Sequence, residues 1–197
     1  MSAPEPRSAP GDAAGIELET CETDIVEIAA LRGRAGELQT IASGRGLPLP
    51  ALGRATVTAD QLALGVRPER WLVLSPPAAP GVSAQLWQGA CAGVGVAVDL
   101  SGGLTALQLS GPAARAVLAR GCRLDLDPGA FPVHAAAATI MAQVAVILVA
   151  LPPGLLLLTP ASTAQHLREW LVSTAKPFGL MPHSDGMLAA RSAEPHS

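Results

Sequence analysis

Residues 144–158 read Val-Ala-Val-Ile-Leu-Val-Ala-Leu-Pro-Pro-Gly-Leu-Leu-Leu-Leu, the strongest apolar stretch of the chain. As a helix it falls short of the roughly 20 apolar residues that cross about 30 Å of hydrocarbon. Pro152-Pro153-Gly154 also cuts it in the middle, where prolines lack backbone donors and glycine turns the chain. Two buried strands over residues 145–151 and 154–159, joined by that tight turn, account for the same residues. The segment therefore points to a sheet at the centre of a globular fold.

Elements extend outward from this hairpin in both directions. After it, Thr159-Pro160 supplies a cap residue followed by proline, and Ala164, Leu167, Trp170 and Leu171 form the apolar stripe of a helix. Pro177-Phe178-Gly179 ends that helix. Before the hairpin, a strand is expected over 136–142, and Ser110-Gly111-Pro112 opens a helix that runs to Arg120 and stops at Gly121. Strands over 95–100 and 104–109 precede it, linked through Ser101-Gly102-Gly103 as a hairpin turn whose amides Asp99 can accept. Further back come a strand over 24–31, a helix over 35–43 stopped by Gly44 or Gly46, and strands over 53–58 and 70–75. A short irregular piece is expected over 62–65. A helix over 80–92 carries Val82, Leu86 and Ala90 on one face.

The result is α+β: two related β-α-β-β-α halves, the second with additional strands, with helices packed on one face of the sheet or sheets. Residues 15–94 form the first half and 95–178 the second. Residues 1–14, rich in Pro, Ala and Gly, read as a disordered tail, and 179–197 as a loose one.

The composition limits what such a fold does. The 197 residues are 49% hydrophobic but hold no Tyr, two Phe and three Trp, so Ala, Leu and Val fill the core. A net charge of −3, with Lys176 the single lysine and the arginines scattered, offers no electrostatic footprint for nucleic acid or an anionic membrane surface. Cys21, Cys91 and Cys122 are an odd number, too widely spaced for a disulfide framework or a metal motif. Without a signal peptide they point to a reducing, cytoplasmic setting.

No catalytic constellation assembles from the chain. Gly89, Gly93 and Gly95 fall at a helix-to-strand junction with the wrong spacing for a dinucleotide loop. His134, His166, His183 and His196 show no metal-ligand spacing; His134 lies in a loop and His166 on the polar side of the last helix. Asp125 and Asp127 read as turn-bonding residues of a polar loop closed by Pro128-Gly129 more readily than as an acid/base pair. Cys122, between Arg120 and Arg123, is a candidate activated thiolate, but an idle or buried thiol is the plainer reading. No catalytic, cofactor-binding or metal-binding residue is assigned.

Residues 99–131 carry more identity than chemistry. They combine an Asp-x-Ser turn (Asp99, Ser101), Leu-Ser-Gly-Pro (Leu109 to Pro112) and an Arg-x-x-Leu helix (Arg115, Leu118). The loop then runs Arg120-Gly121-Cys122, Asp125-Leu126, Pro128 and Phe131. This combination resembles the gamma subunit of heterotetrameric sarcosine oxidase. The likeness covers residues 95–178 well; before them Arg70-Trp71-Leu72 is similar. Gly102-Gly103 and Gly129 depart from the family pattern, which has polar or basic residues there. In physical terms Gly121 is expected to end the helix in a left-handed conformation, and Asp125 to be the partner of Arg115.

The resemblance implies the aminomethyltransferase-like, folate-binding fold, which accounts for two related halves. It implies a non-catalytic accessory subunit of a cytoplasmic complex that oxidatively demethylates sarcosine to glycine. FAD, FMN, NAD and tetrahydrofolate would sit on alpha-, beta- and delta-type partners and not on this chain. Two alternatives stand beside it. One is the equivalent subunit of a related N-methyl amine oxidoreductase. The other is a stand-alone tetrahydrofolate-binding protein of the same fold, whose Lys-Gly-Cys-x-x-Gly-Gln-Glu loop is matched only at Arg120-Gly121-Cys122.

Overall fold

The computed structural model describes residues 15–182 and 186–187. The tail expected over residues 1–14 lies outside the described residues, as does most of that expected over 179–197.

In chain order the elements are β1 (Ile16–Glu22), β2 (Asp24–Ala30), α1 (Ala35–Gly44), β3 (Ala55–Val57), β4 (Leu62–Arg67), β5 (Arg70–Ser75), α2 (Val82–Ala90), β6 (Gly95–Asp99), β7 (Leu104–Ser110) and α3 (Ala114–Leu118). β8 (Ala136–Met141), β9 (Val144–Leu151), β10 (Gly154–Pro160), α4 (Ala161–Ala175), β11 (Leu180–Pro182) and β12 (Gly186–Met187) complete them. The apolar stretch is the β9–β10 hairpin, as its prolines and glycine require, with Gly154 paired to Leu151.

Two sheets result, with strand orders β3-β4-β5-β2-β6 and β8-β9-β10-β7-β1-β11, β12 also pairing with β1. Each follows the same path: a central strand (β2 or β7), a helix, an antiparallel three-stranded meander, and a second helix. The repeat read from the sequence is thus present, and more complete than expected. Its first half contains a meander strand, β4, where an irregular piece was expected. Gly65 hides that strand: glycine is a poor strand former, and the β4–β5 register shifts between Gly65 and Arg67. A Cβ on Gly65 would stand 3.2 Å from Leu52 Cα and closer still to the Ala51 carbonyl.

The sheets do not divide at residues 94 and 95. β6 pairs with β2 in the first sheet, while β1 pairs with β7 in the second. The turn at Ser101–Gly103 is accordingly not a hairpin but the passage from one sheet to the other. Ile25 N–H donates to Ser101 Oγ at 2.9 Å, fastening the passage to the first sheet. Ala161 N–H donates to the Gly103 carbonyl at 3.0 Å, fastening it to the second. Leu180–Pro182, expected in a loose tail, pairs in parallel with β1.

Alternation along the strands builds four layers. In β5, Leu72 and Leu74 face the second sheet while Trp71 and Val73 face α1 and α2. In β10, Leu156 and Leu158 face the first sheet while Leu155 and Leu157 face α3 and α4. The order is helices, sheet, sheet, helices, with helices on one face of each sheet. α2 buries Trp87 rather than the expected Val82 and Leu86, which are exposed, because the tryptophan carries the larger apolar area against the sheet.

Candidate functional site

Residues 99–131 form a continuous path from the intersheet turn through β7 and α3 into a closed loop. At the turn, Asp99 Oδ1 accepts the Ser101 amide at 2.9 Å. That amide bond, then the Ser101 hydroxyl, hold the Asp99 carboxyl below its ordinary range, with burial opposing weakly. The expected acceptor role is present, and the carboxylate serves its own turn.

β7 ends at Ser110, and Gly111 takes φ of +106°. A Cβ there would lie 2.7 Å from the Gly15 carbonyl oxygen, so the chain crossing beside β1 requires glycine. α3 starts two residues after Pro112 and ends at Leu118, shorter than the helix read from sequence. Ala114, Val117 and Leu118 point into the second sheet's core with Leu126 and Phe131 of the loop.

Arg115 closes that loop, but not through Asp125. Its guanidinium donates to the Leu126 carbonyl at 2.6 Å and the Phe131 carbonyl at 3.0 Å. Both residues are buried, so their carbonyls need an internal donor that a surface carboxylate cannot supply. Asp125 Oδ1 instead accepts the Asp127 amide at 2.9 Å, and Asp127 Oδ1 accepts the Gly129 amide at 2.8 Å. These are the turn-bonding roles expected of the pair.

Gly121, three residues past the end of α3, lacks the left-handed φ expected of it. It is needed for space: a Cβ would fall 2.7 Å from Trp170 Cη2 and closer to Cζ2. The Arg-Gly-Cys segment is thus clamped against α4, with Arg120 stacked 4.8 Å from the Phe178 ring centroid. Cys122 is half-buried and pairs by a backbone bridge with Met141 of β8. The other thiols are buried. Desolvation chiefly, helped by Glu19 and opposed by the Gln108 backbone, pushes Cys21 up to about 11; burial raises Cys91 while Arg45 lowers it. Neither is an activated nucleophile.

The histidines stay apart. His134 holds φ of +64° and its backbone bridges strands, its N–H donating to the Ala150 carbonyl at 2.8 Å and its carbonyl accepting from Ala55 at 2.9 Å. His166 is exposed on α4. His183 and His196 lie outside the described residues. Among the described residues no three His, Cys, Asp or Glu side chains gather as a metal site, and no helix is long and apolar enough to cross a membrane.

Sequence reasoning did not anticipate a cleft of about 360 Å³ between α1 and α2. It is lined by Arg45, Gln61, Ser75, Ser83, Leu86 and Trp87. Its residues come from four separated segments, so no local motif announces it.

The arrangement has close counterparts. The model of the sarcosine oxidase gamma subunit family matches residues 38–175, reaching well into the first half. The sarcosine oxidase subunit gamma of an Arthrobacter species is 35% identical over 124 residues, 62% of this chain and 61% of that protein. That of Corynebacterium sp. strain P-1 is 32% identical over 142 residues, covering 72% of this chain and 70% of its own. The match to the Arthrobacter relative therefore spans less than two thirds of its length.

Among solved structures, the heterotetrameric sarcosine oxidase from Corynebacterium sp. U-96, in complex with pyrrole 2-carboxylate, includes a similar chain. It is 27% identical with a TM-score of 0.73, covering 86% of this chain and 88% of that one. The glycine cleavage system aminomethyltransferase T from Bartonella henselae, 16% identical, has a TM-score of 0.59 over 81% of this chain and 46% of its own. That likeness is one of fold, and it bears out the aminomethyltransferase-like architecture. With its family motif laid out as a self-contained turn, helix and loop, the chain belongs to the sarcosine oxidase gamma subunit family.

Proposed function

We propose that this chain is a non-catalytic accessory subunit of a cytoplasmic sarcosine oxidase complex that oxidatively demethylates sarcosine to glycine. One observation carries the reading: the family's motif spends its polar groups on its own backbone. Asp99, Asp125, Asp127 and Arg115 all bond to turn or loop atoms. A segment of that kind specifies a scaffold. FAD, FMN, NAD and tetrahydrofolate would then be held by alpha-, beta- and delta-type partner subunits, and this chain would serve assembly.

Coexpression with flavin-bearing alpha- and beta-type chains tests this directly. The expected result is one co-eluting assembly that oxidises sarcosine, with peroxide formation lost or unstable when this chain is omitted. A chain that remains a monomer beside those partners overturns the reading.

A further inference from the structure

Each sheet has two edges, and three of the four are dealt with in the described residues. β3 is three residues long, too short to template another strand. On β6, the Ala97 amide donates to the Gln88 side chain at 3.0 Å, which caps the edge. The β1 edge of the second sheet is covered by β11 and β12.

Among the described residues the fourth edge, β8, is open. At its ends the Ala136 amide donates to the Gly53 carbonyl at 2.9 Å, and the Ala142 amide to the Gly121 carbonyl at 3.4 Å. Outward-facing groups recur every second residue of an antiparallel strand. Ala138 and Ile140 therefore turn their N–H and C=O groups outward between those two anchored positions. Both residues are exposed, Ile140 by 47%. The strand's sequence, Ala-Ala-Ala-Thr-Ile-Met, holds none of the lysines, prolines or inward charges that keep natural edges from pairing.

An apolar groove of about 190 Å³ runs beside this edge, lined by Leu52, Val66, Ala136 to Ala138 and Ile147. Its rim residue Leu52 is 60% exposed. At the Ala135 end stands the exposed Arg54, whose backbone bridges to Ala135; at the Met141 end Arg123, beside the Cys122 that bridges to Met141, shares its loop with the exposed Asp125 and Asp127. Neither arginine is in an ion pair among the described residues, where the pairs are Arg34–Glu37 and Arg70–Glu27. Residues 47–57 and 135–151, which flank the groove, contain no carboxylate. The uncompensated charge is thus the positive one of Arg54, at the Ala135 end of an uncharged strand.

We propose that the open edge of β8 receives, as an added strand, an extended apolar segment of a partner subunit with an acidic residue at the end that meets Arg54. Backbone pairing to Ala138 and Ile140 sets the register, alternate side chains fill the groove, and the carboxylate meets Arg54. That the partner is another subunit of the complex rests on the function proposed above.

The test compares the full chain alone with the chain in its coexpressed complex by hydrogen–deuterium exchange. The Ala138 and Ile140 amides should exchange rapidly in the free chain and at least tenfold more slowly in the complex. Ala138→Pro removes only an outward donor, which an edge strand tolerates, so it should melt near wild type yet weaken assembly tenfold or more. Arg54→Glu leaves the backbone untouched and should weaken assembly as well, with a reduced salt dependence. Assembly at wild-type strength by both variants, with both amides still exchanging freely in the complex, overturns the edge while leaving the subunit reading intact. Slow exchange already present in the free chain, whether from its own terminal residues or from a second copy, also overturns it. A wild-type chain that never assembles removes both readings together.

Discussion

Replacing Gly121 by alanine separates a spatial requirement from a conformational one. Its φ lies outside the left-handed region, so alanine meets no backbone strain there. The new Cβ would meet the Trp170 ring, 2.7 Å from Cη2. The indole is rigid and packs on the core shared by α3 and α4, so the two helices must separate or the ring must leave its rotamer. Overpacking of that kind costs about 1–3 kcal/mol, which for a chain of this size lowers Tm by roughly 2–12 °C. In a Trp170→Ala background the obstacle is gone. The same glycine-to-alanine change should then cost nothing, or stabilise by about 0.4–1 kcal/mol through the unfolded chain. Urea unfolding followed by circular dichroism, across the four members of this cycle, measures the coupling. A Gly121→Ala loss equal in both backgrounds would refute the argument, since the cost would then not come from the ring.

Arg115→Ala should destabilise by about 1.5–3 kcal/mol, because two carbonyls of buried residues lose a charged donor; Arg115→Lys should restore part of it, read from melting curves and exchange in residues 122–131. Asp99→Asn should flatten the acid limb of the stability curve. The folded carboxyl titrates below its ordinary value of 3.8, so its contribution is present above that pH and lost as pH falls through the lower folded value; unchanged acid denaturation would count against it. With a thiol-reactive disulfide at pH 8, Cys122 should label first and Cys21 and Cys91 only on unfolding, since both are buried and raised. Native-state labelling of Cys21 at the rate of Cys122 would contradict the burial.

Much of this was legible because periodicity and turn chemistry are local. Pro152-Pro153-Gly154 announces the β9–β10 hairpin, and Leu167 with Leu171 announces the buried face of α4. Asp125 and Asp127 announce their Asx turns, since each acceptor lies two residues from its donor. β4 was not legible, because Gly65 serves a loop packed against it, and that need is written in Ala51 and Leu52. α2 misled for a related reason. Val82, Leu86 and Ala90 make as good a stripe as the one used, and only the sheet's position selects Trp87.

The residues at 99–131 by themselves determined which family the chain belongs to, through a spacing of turn, strand, helix stop and loop that involves only near neighbours. Tertiary structure decided what those residues do. Arg115 reaches Leu126 and Phe131 rather than Asp125 because buried carbonyls have no water to bond. Gly121 is required by a ring 49 positions away. β1 and β6 change sheets because each central strand needs an antiparallel neighbour, and the nearest in space is not the nearest in sequence.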